Sequence, residues 1–172
     1  MKKLFLISAA LFMAVTVACA QNASDGKRFI DKLVLDLEVS SGTKCDDMNP
    51  LTLGVNIGYK FIPRTYVFIH GANMFGHYDR NGTKTYINGV NLGGGLAYVL
   101  IEDKDIDLEL RGNVSAGLSD SWKNTSYDIG LMMKVKSGVT NINFGVSFRH
   151  INSHTAGIDS YNGAFFTIGF GI

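Results

Sequence analysis

The sequence predicts an all-β protein: eight antiparallel strands joined in chain order and closed into an up-and-down barrel. Three observations carry this. Apolar and polar residues alternate over eight separate segments, most cleanly at residues 51–61, LTLGVNIGYKF. A period of two belongs to strands, because successive side chains leave opposite faces. No helical pattern lies between the segments, so each strand pairs with the next as an antiparallel meander.

The strands follow in order. Residues 32–40 place Leu33, Leu35, Leu37 and Val39 against Val34, Asp36, Glu38 and Ser40. The second, 51–61, sets Leu51, Leu53, Val55, Ile57, Tyr59 and Phe61 against Thr52, Gly54, Asn56, Gly58 and Lys60. The third, 66–77, is irregular, since either parity puts His70 or Asn73 on the apolar face. A bulge near Gly71 would bring Val67, Ile69, Ala72 and Met74 to one side. The fourth, 87–101, has Val90, Leu92, Leu96, Tyr98 and Leu100 on one face and a glycine-rich opposite face. The fifth, 106–118, opposes Ile106, Leu108, Leu110, Val114, Ala116 and Leu118 to Asp107, Glu109, Arg111, Asn113 and Ser115. The sixth, 127–136, opposes Tyr127, Ile129, Leu131, Met133 and Val135 to Asp128, Gly130, Met132, Lys134 and Lys136. The seventh carries Ile142, Phe144, Val146 and Phe148 against Asn143, Gly145, Ser147 and Arg149. The last, 162–172, carries Ala164, Phe166, Ile168, Phe170 and Ile172 against Gly163, Phe165, Thr167, Gly169 and Gly171.

Connections alternate in length. Those at 40–50, 78–85, 119–126 and 151–161 are long, and those at 62–65, 102–105 and 136–139 are short. Strands of about 9–12 residues exceed the usual 5–6 and suit tilted membrane-crossing strands. Length asymmetry between the two ends is also a mark of transmembrane barrels.

Alternation leaves two readings: an apolar interior, as in soluble carriers of the lipocalin type, or an apolar exterior toward lipid. The polar face decides. It is crowded with glycine, at positions 54, 58, 89, 93, 95, 117, 130, 145, 163, 169 and 171. A solvated exterior would carry longer polar side chains there, whereas the narrow lumen of an eight-stranded barrel has room for little more than its own side chains. The charges on that face also have both signs, as a confined interior requires. Asp36, Glu38, Lys60, Asp107, Glu109, Arg111, Lys134, Lys136 and Arg149 are the expected lumen network. The lipid-facing set is Leu53, Val55, Ile57, Leu108, Leu110, Val114, Leu131, Phe144, Val146, Phe166, Ile168 and Phe170. Tyr59, Phe61 and Tyr98 at the short-turn end, and Trp122 and Tyr127 at the other with Tyr78, Tyr86 and Tyr161, are expected at the two membrane interfaces. The fold class is therefore an eight-stranded transmembrane β-barrel.

Residues 1–20 read as a cleaved secretory signal and 21–172 as the barrel domain. Lys2 and Lys3 precede an apolar run from residue 4 to 17, and Ala18 and Ala20 frame an A-x-A site before Gln21. The run is short for a membrane-spanning anchor. A lipid-modified Cys19 is the lesser alternative, because Thr16 stands where such sites carry Leu. Cleavage takes the formal charge from +1 to −1 by removing two lysines, a balance that excludes nucleic acid as a partner. Cys45 is then the sole cysteine, so no intramolecular disulfide forms. No cofactor or metal motif is present; Asp46 and Asp47 fall short of the 6–8 oxygens calcium takes.

Over residues 32–172 the pattern resembles the small eight-stranded outer-membrane barrels of the OmpX and OmpA membrane-domain type. The end, AFFTIGFGI, is similar to their C-terminal insertion signal, with Ile172 where an aromatic is usual and Phe170 two residues before it. The Ala20–Gln21 junction resembles secreted proteins of the Bacteroidetes. The resemblance implies the outer membrane of a Gram-negative bacterium. It implies outer-membrane lipid and the barrel-assembly machinery as partners, and a surface ligand through the four long loops. The function expected is non-enzymatic: envelope structure or surface contact, around a lumen plugged by charges. A narrow ion-conducting lumen is a variant of that reading. A lipid-modifying hydrolase is one alternative, because RHINSHTAGIDSYNG faintly resembles PagL-type lipid A deacylases, with His150, Ser153 and Asp159 as base, nucleophile and orienting group. His150 and Ser153 miss the spacing of that family. A soluble carrier of a small apolar ligand is the other alternative, against which the lipocalin G-x-W is missing.

Overall fold

The computed structural model describes residues 32–45, 47–80 and 83–172. Expectations for residues 1–31, including Ala18, Ala20 and Gln21, lie outside the described residues, as does Asp46. Eight strands follow: β1 (Leu33–Gly42), β2 (Met48–Ile62), β3 (Thr65–Arg80), β4 (Thr83–Glu102), β5 (Ile106–Gly117), β6 (Asn124–Ser137), β7 (Thr140–Ser153) and β8 (Tyr161–Gly171). They form one closed barrel in chain order, β1 to β8. Closure is antiparallel, from Asp36 opposite Gly171 to Gly42 opposite Phe165. No strand edge is left open along this seam, which removes the usual edge hazard.

The alternation is realised as apolar outside and polar inside. Leu53, Val114, Val146, Phe166 and Phe170 are among the large outward side chains left 45–64% exposed, while Asp36, Thr52, Asn91, Glu109 and Asn143 are all buried at 2% or less. In a barrel this narrow, an inward side chain meets the opposite wall within its own length. Glycines on the inner face make the crowding possible. A Cβ at Gly93 would strike the Val114 carbonyl oxygen and the Ser115 Cα, and one at Gly130 would strike Ser147 and the Val146 carbonyl. Outward Gly71 has nothing near such an atom.

Three expectations are corrected. No bulge interrupts β3 near Gly71: its pairing with β2 runs unbroken from Met48–Tyr78 to Lys60–Tyr66, and the shifts lie at Lys60/Ile62 and Val99/Ile101. His70, Ala72 and Met74 therefore point inward with Tyr66 and Phe68, and Asn73 takes an outward position. The parity conflict vanishes because the lumen beside Met74 is itself apolar. Next, the long connections are shorter than read. β3 continues to Arg80 and β4 starts at Thr83, while Pro50 lies within β2. The connections at this end are 43–47, 81–82, 118–123 and 154–160, against 63–64, 103–105 and 138–139 at the other. Finally, Trp122 and Tyr161 are not on the outer wall. Both are buried, in a cluster with Met48, Met74, Ile151 and Phe165. The 118–123 connection folds inward over the barrel mouth, and burial of so much aromatic surface fixes it there.

Candidate functional site: the lumen and the outer wall

The inner wall holds two ionic clusters. Arg111, on β5, is the hub of the first. Its guanidinium donates to Asp36 Oδ2 at 2.7 Å, Glu38 Oε1 at 2.6 Å and Glu109 Oε2 at 3.0 Å. Lys134 on β6 lies 3.4 Å from both Asp36 and Glu109. Tyr66 donates to Glu109 at 2.6 Å, and Asn143 donates to Asp36 at 2.9 Å. Three carboxylates thus share two cations, with neutral donors completing their shells. Buried carboxylates need this many partners, because desolvation otherwise exceeds the Coulombic gain.

The second cluster centres on Arg149 of β7. Its Nε donates to Asp128 Oδ2 at 2.7 Å, its Nη1 donates to Thr52 at 2.9 Å, and its guanidinium lies 4.1 Å from the Phe165 ring centre. Ser147 also donates to Asp128, at 3.1 Å. His70 Nδ1 meets Asn56 Oδ1 at 2.7 Å nearby. Between the clusters is a cavity of about 30 Å³ lined by Glu38, Asn56, His70, Arg111, Asp128 and Arg149. That is space for about one or two waters. Toward the long-connection end the lumen is filled by the Trp122 cluster.

Of the residues expected in the network, Asp36, Glu38, Glu109, Arg111 and Lys134 come together. Arg149 pairs separately with Asp128. Asp107 and Lys136 form a third pair at 2.7 Å near the short turns. Lys60 stands apart from these ion pairs, half-buried near the end of β2. Asp128, Tyr66, Asn143 and the His70–Asn56 pair were not singled out from sequence. Asp128 was within reach: reflecting the β6–β7 hairpin about its Ser137–Thr140 turn sets it opposite Arg149.

On the outer wall, Leu53, Val55, Ile57, Leu108, Leu110, Val114, Leu131, Phe144, Val146, Phe166, Ile168 and Phe170 all take outward positions. Phe61, Tyr98 and Tyr127 are outward and about half exposed; Tyr59 is outward and partly covered. Tyr127 is stacked on His150, with ring centres 6.1 Å apart. His150, Ser153 and Asp159 are not brought together as a hydrolytic triad. His150 Nδ1 pairs with Asn162 Oδ1 on the outer face. Ser153, three residues on, takes the opposite parity and accepts from the Thr155 N–H. The Asp159 carbonyl accepts from Tyr78.

No protein-family model and no curated protein matches the sequence. Among solved structures, the chain is similar to a de novo designed transmembrane β-barrel, at 14% identity and TM-score 0.48, over 81% of this chain and 92% of the other. It is also similar to the N-terminal β-barrel domain of Pseudomonas aeruginosa OprF, at 14% identity and TM-score 0.47, over 81% and 97%. A third is the Yersinia pestis outer membrane protein Ail in phospholipid bilayer nanodiscs, at 14% identity and TM-score 0.46, over 81% and 97%.

Proposed function

We propose that the chain is an integral outer-membrane barrel that performs no chemistry. In this reading its lumen is closed to solutes and its long-connection end is a surface-facing platform. The carrying observation is the contrast between the two walls. Outside, a continuous belt of Leu, Ile, Val and Phe is left uncovered over all eight strands. Inside, Arg111, Lys134 and Arg149 are matched with Asp36, Glu38, Glu109 and Asp128. In water the belt would be an aggregation surface far beyond the few hundred Å² that soluble monomers expose. In hydrocarbon it costs nothing, and strand closure satisfies the backbone. The same contrast disfavours a soluble carrier, whose apolar cavity would lie inside.

Two features support a closed lumen over a conducting one. The ionic clusters fill the middle, and the Trp122 cluster fills one mouth. The secretory pattern of residues 1–20 fits export, and β8 supplies the C-terminal strand that barrel-assembly machinery would engage. The connections 43–47, 118–123 and 154–160 are the surfaces available to a partner. The absence of a His150–Ser153 contact disfavours hydrolysis.

The test is electrophoresis of the membrane and soluble periplasmic fractions, each with and without boiling, followed by planar-bilayer recording of the purified protein. A membrane-bound species whose mobility shifts on boiling, without stepwise conductance, is the expected result. A soluble species with no shift would overturn the membrane reading, and steady single-channel steps would overturn the closed lumen.

A further inference from the structure

The outer wall carries a feature that a uniform lipid-facing belt does not require. On β5, β6 and β7 a shallow, widely open groove is lined by Leu110, Ile129, Leu131, Val146 and Phe148, over Gly130 and Ser147. It follows the outward pairs Ile129–Phe148 and Leu131–Val146. The next outward pair toward the long connections is Tyr127–His150, and His150 is paired in turn with Asn162 of β8. That step is two residues, or about 6.8 Å along a strand. Apolar lining therefore gives way to three polar side chains in one register step.

These three groups are organised among themselves. His150 Nδ1 donates to Asn162 Oδ1, and the imidazole is stacked on the Tyr127 ring. Asn162 keeps its amide as a donor, and Tyr127 keeps its hydroxyl. Thr125 is one register step higher, opposite Asn152, and its Oγ1 lies 3.1 Å from Nε2 of His154, just beyond β7. The backbone of the same residue donates to the Lys123 carbonyl. A group filling this place would have an apolar chain below and acceptor oxygens above.

We propose that the outer wall of β5–β8 is a retention site for one phosphorylated lipid. An acyl chain lies in the Leu110–Val146 groove, and the phosphate ester oxygens accept from the Asn162 amide N–H and the Tyr127 hydroxyl, while His150 holds the Asn162 side chain in place through its Oδ1. The occupant is a membrane lipid because the groove opens on the belt, where a soluble ligand would have to displace lipid. The polar triplet stands at the edge of that belt, where a headgroup falls when its chain lies in the groove. This rests on the membrane reading. Mobility shift on boiling tests that reading separately, so a barrel that inserts but retains no lipid would sink only the present proposal.

The test is native mass spectrometry of the barrel in a maltoside detergent. It is titrated with dioleoyl phosphatidylglycerol and, in parallel, with dioleoylglycerol, which has the chains and no phosphate. The wild type is expected to hold one phosphatidylglycerol at a detergent level that strips further copies, and to hold dioleoylglycerol at least fivefold less well. Val146→Trp fills the groove from an outward position and should lower phosphatidylglycerol retention at least fivefold. Asn162→Ala with Tyr127→Ala should bring it down to the dioleoylglycerol level. Each variant counts only if its mobility still shifts on boiling; Leu92→Trp, outward on β4, is the folded control and should retain lipid as the wild type does. Equal retention of the two lipids, or undiminished binding in Val146→Trp, would overturn the proposal.

Discussion

Replacing Arg111 with Met is the sharpest probe of the lumen. The substitution keeps most of the side-chain volume and removes one charge. In the native barrel Asp36, Glu38 and Glu109 face Arg111 and Lys134, three carboxylates against two cations. Arg111→Met leaves three against one, with Glu38 losing its ion partner. Removing one member of a buried ionic group typically costs about 3–5 kcal/mol, since the remaining charge stays desolvated. The lower end applies here, because Tyr66 and Asn143 still donate to Glu109 and Asp36. Adding Glu38→Gln restores the native difference of one charge and should recover about 1–2 kcal/mol of that loss, a coupling expected of contacting groups. The assay is reversible unfolding in lipid vesicles by guanidinium, read by tryptophan emission and by mobility without boiling. A loss below about 1 kcal/mol for Arg111→Met, or no recovery in the double variant, would refute the claim that ion matching stabilises this lumen.

Other substitutions separate the two walls. Leu96→Arg, outward and half exposed on β4, should cost about 2–4 kcal/mol in vesicle refolding if it lies near the bilayer centre; Val139→Arg, 87% exposed in the β6–β7 turn, should cost almost nothing. Gly93→Ala meets the Val114 carbonyl and Ser115, so its folded yield should collapse; Gly71→Ala has open space and should be neutral or stabilising by up to about 1 kcal/mol. Trp122→Ala should cost about 3–5 kcal/mol and expose the 118–123 connection to protease. Trp122→Phe should cost far less, because the indole Nε1 has no hydrogen-bond partner to lose.

The barrel was legible because its physics is local. A period of two, sustained through Leu51–Phe61 or Ile106–Leu118, survives any error in loop length, and it alone sets which side chains share a wall. The sign of the wall, apolar out, was carried by glycine on the polar face, and the Cβ clashes at Gly93 and Gly130 are the reason. Partner choice was harder, because it depends on register and on depth. Reflecting β5 through the long 119–126 stretch brings Lys134 and Lys136 only to the general height of Glu109 and Arg111, without choosing between partners. In the structure Lys134 reaches Glu109 and Lys136 takes Asp107. Where the turn is tight, at Ser137–Thr140, the same reflection sets Asp128 opposite Arg149 without error.

Trp122 and Tyr161 misled for a different reason. An aromatic at a strand end is placed at a bilayer interface by composition alone, yet the same residue can fold back into the mouth when the inner wall there is apolar. Met74 held that information. If β3 is read without a bulge, Met74 joins Met48, Ile151 and Phe165 on the inner parity at one end of the barrel. Four large apolar side chains facing into one mouth would be exposed to water unless something covered them. Burying an aromatic over them contributes about 1.5–3 kcal/mol per side chain, more than an exposed interface position contributes. The irregularity of the third strand was therefore a signal: the side chains that broke the outer pattern belonged to an inner core, and that core fixes where the 118–123 connection lies.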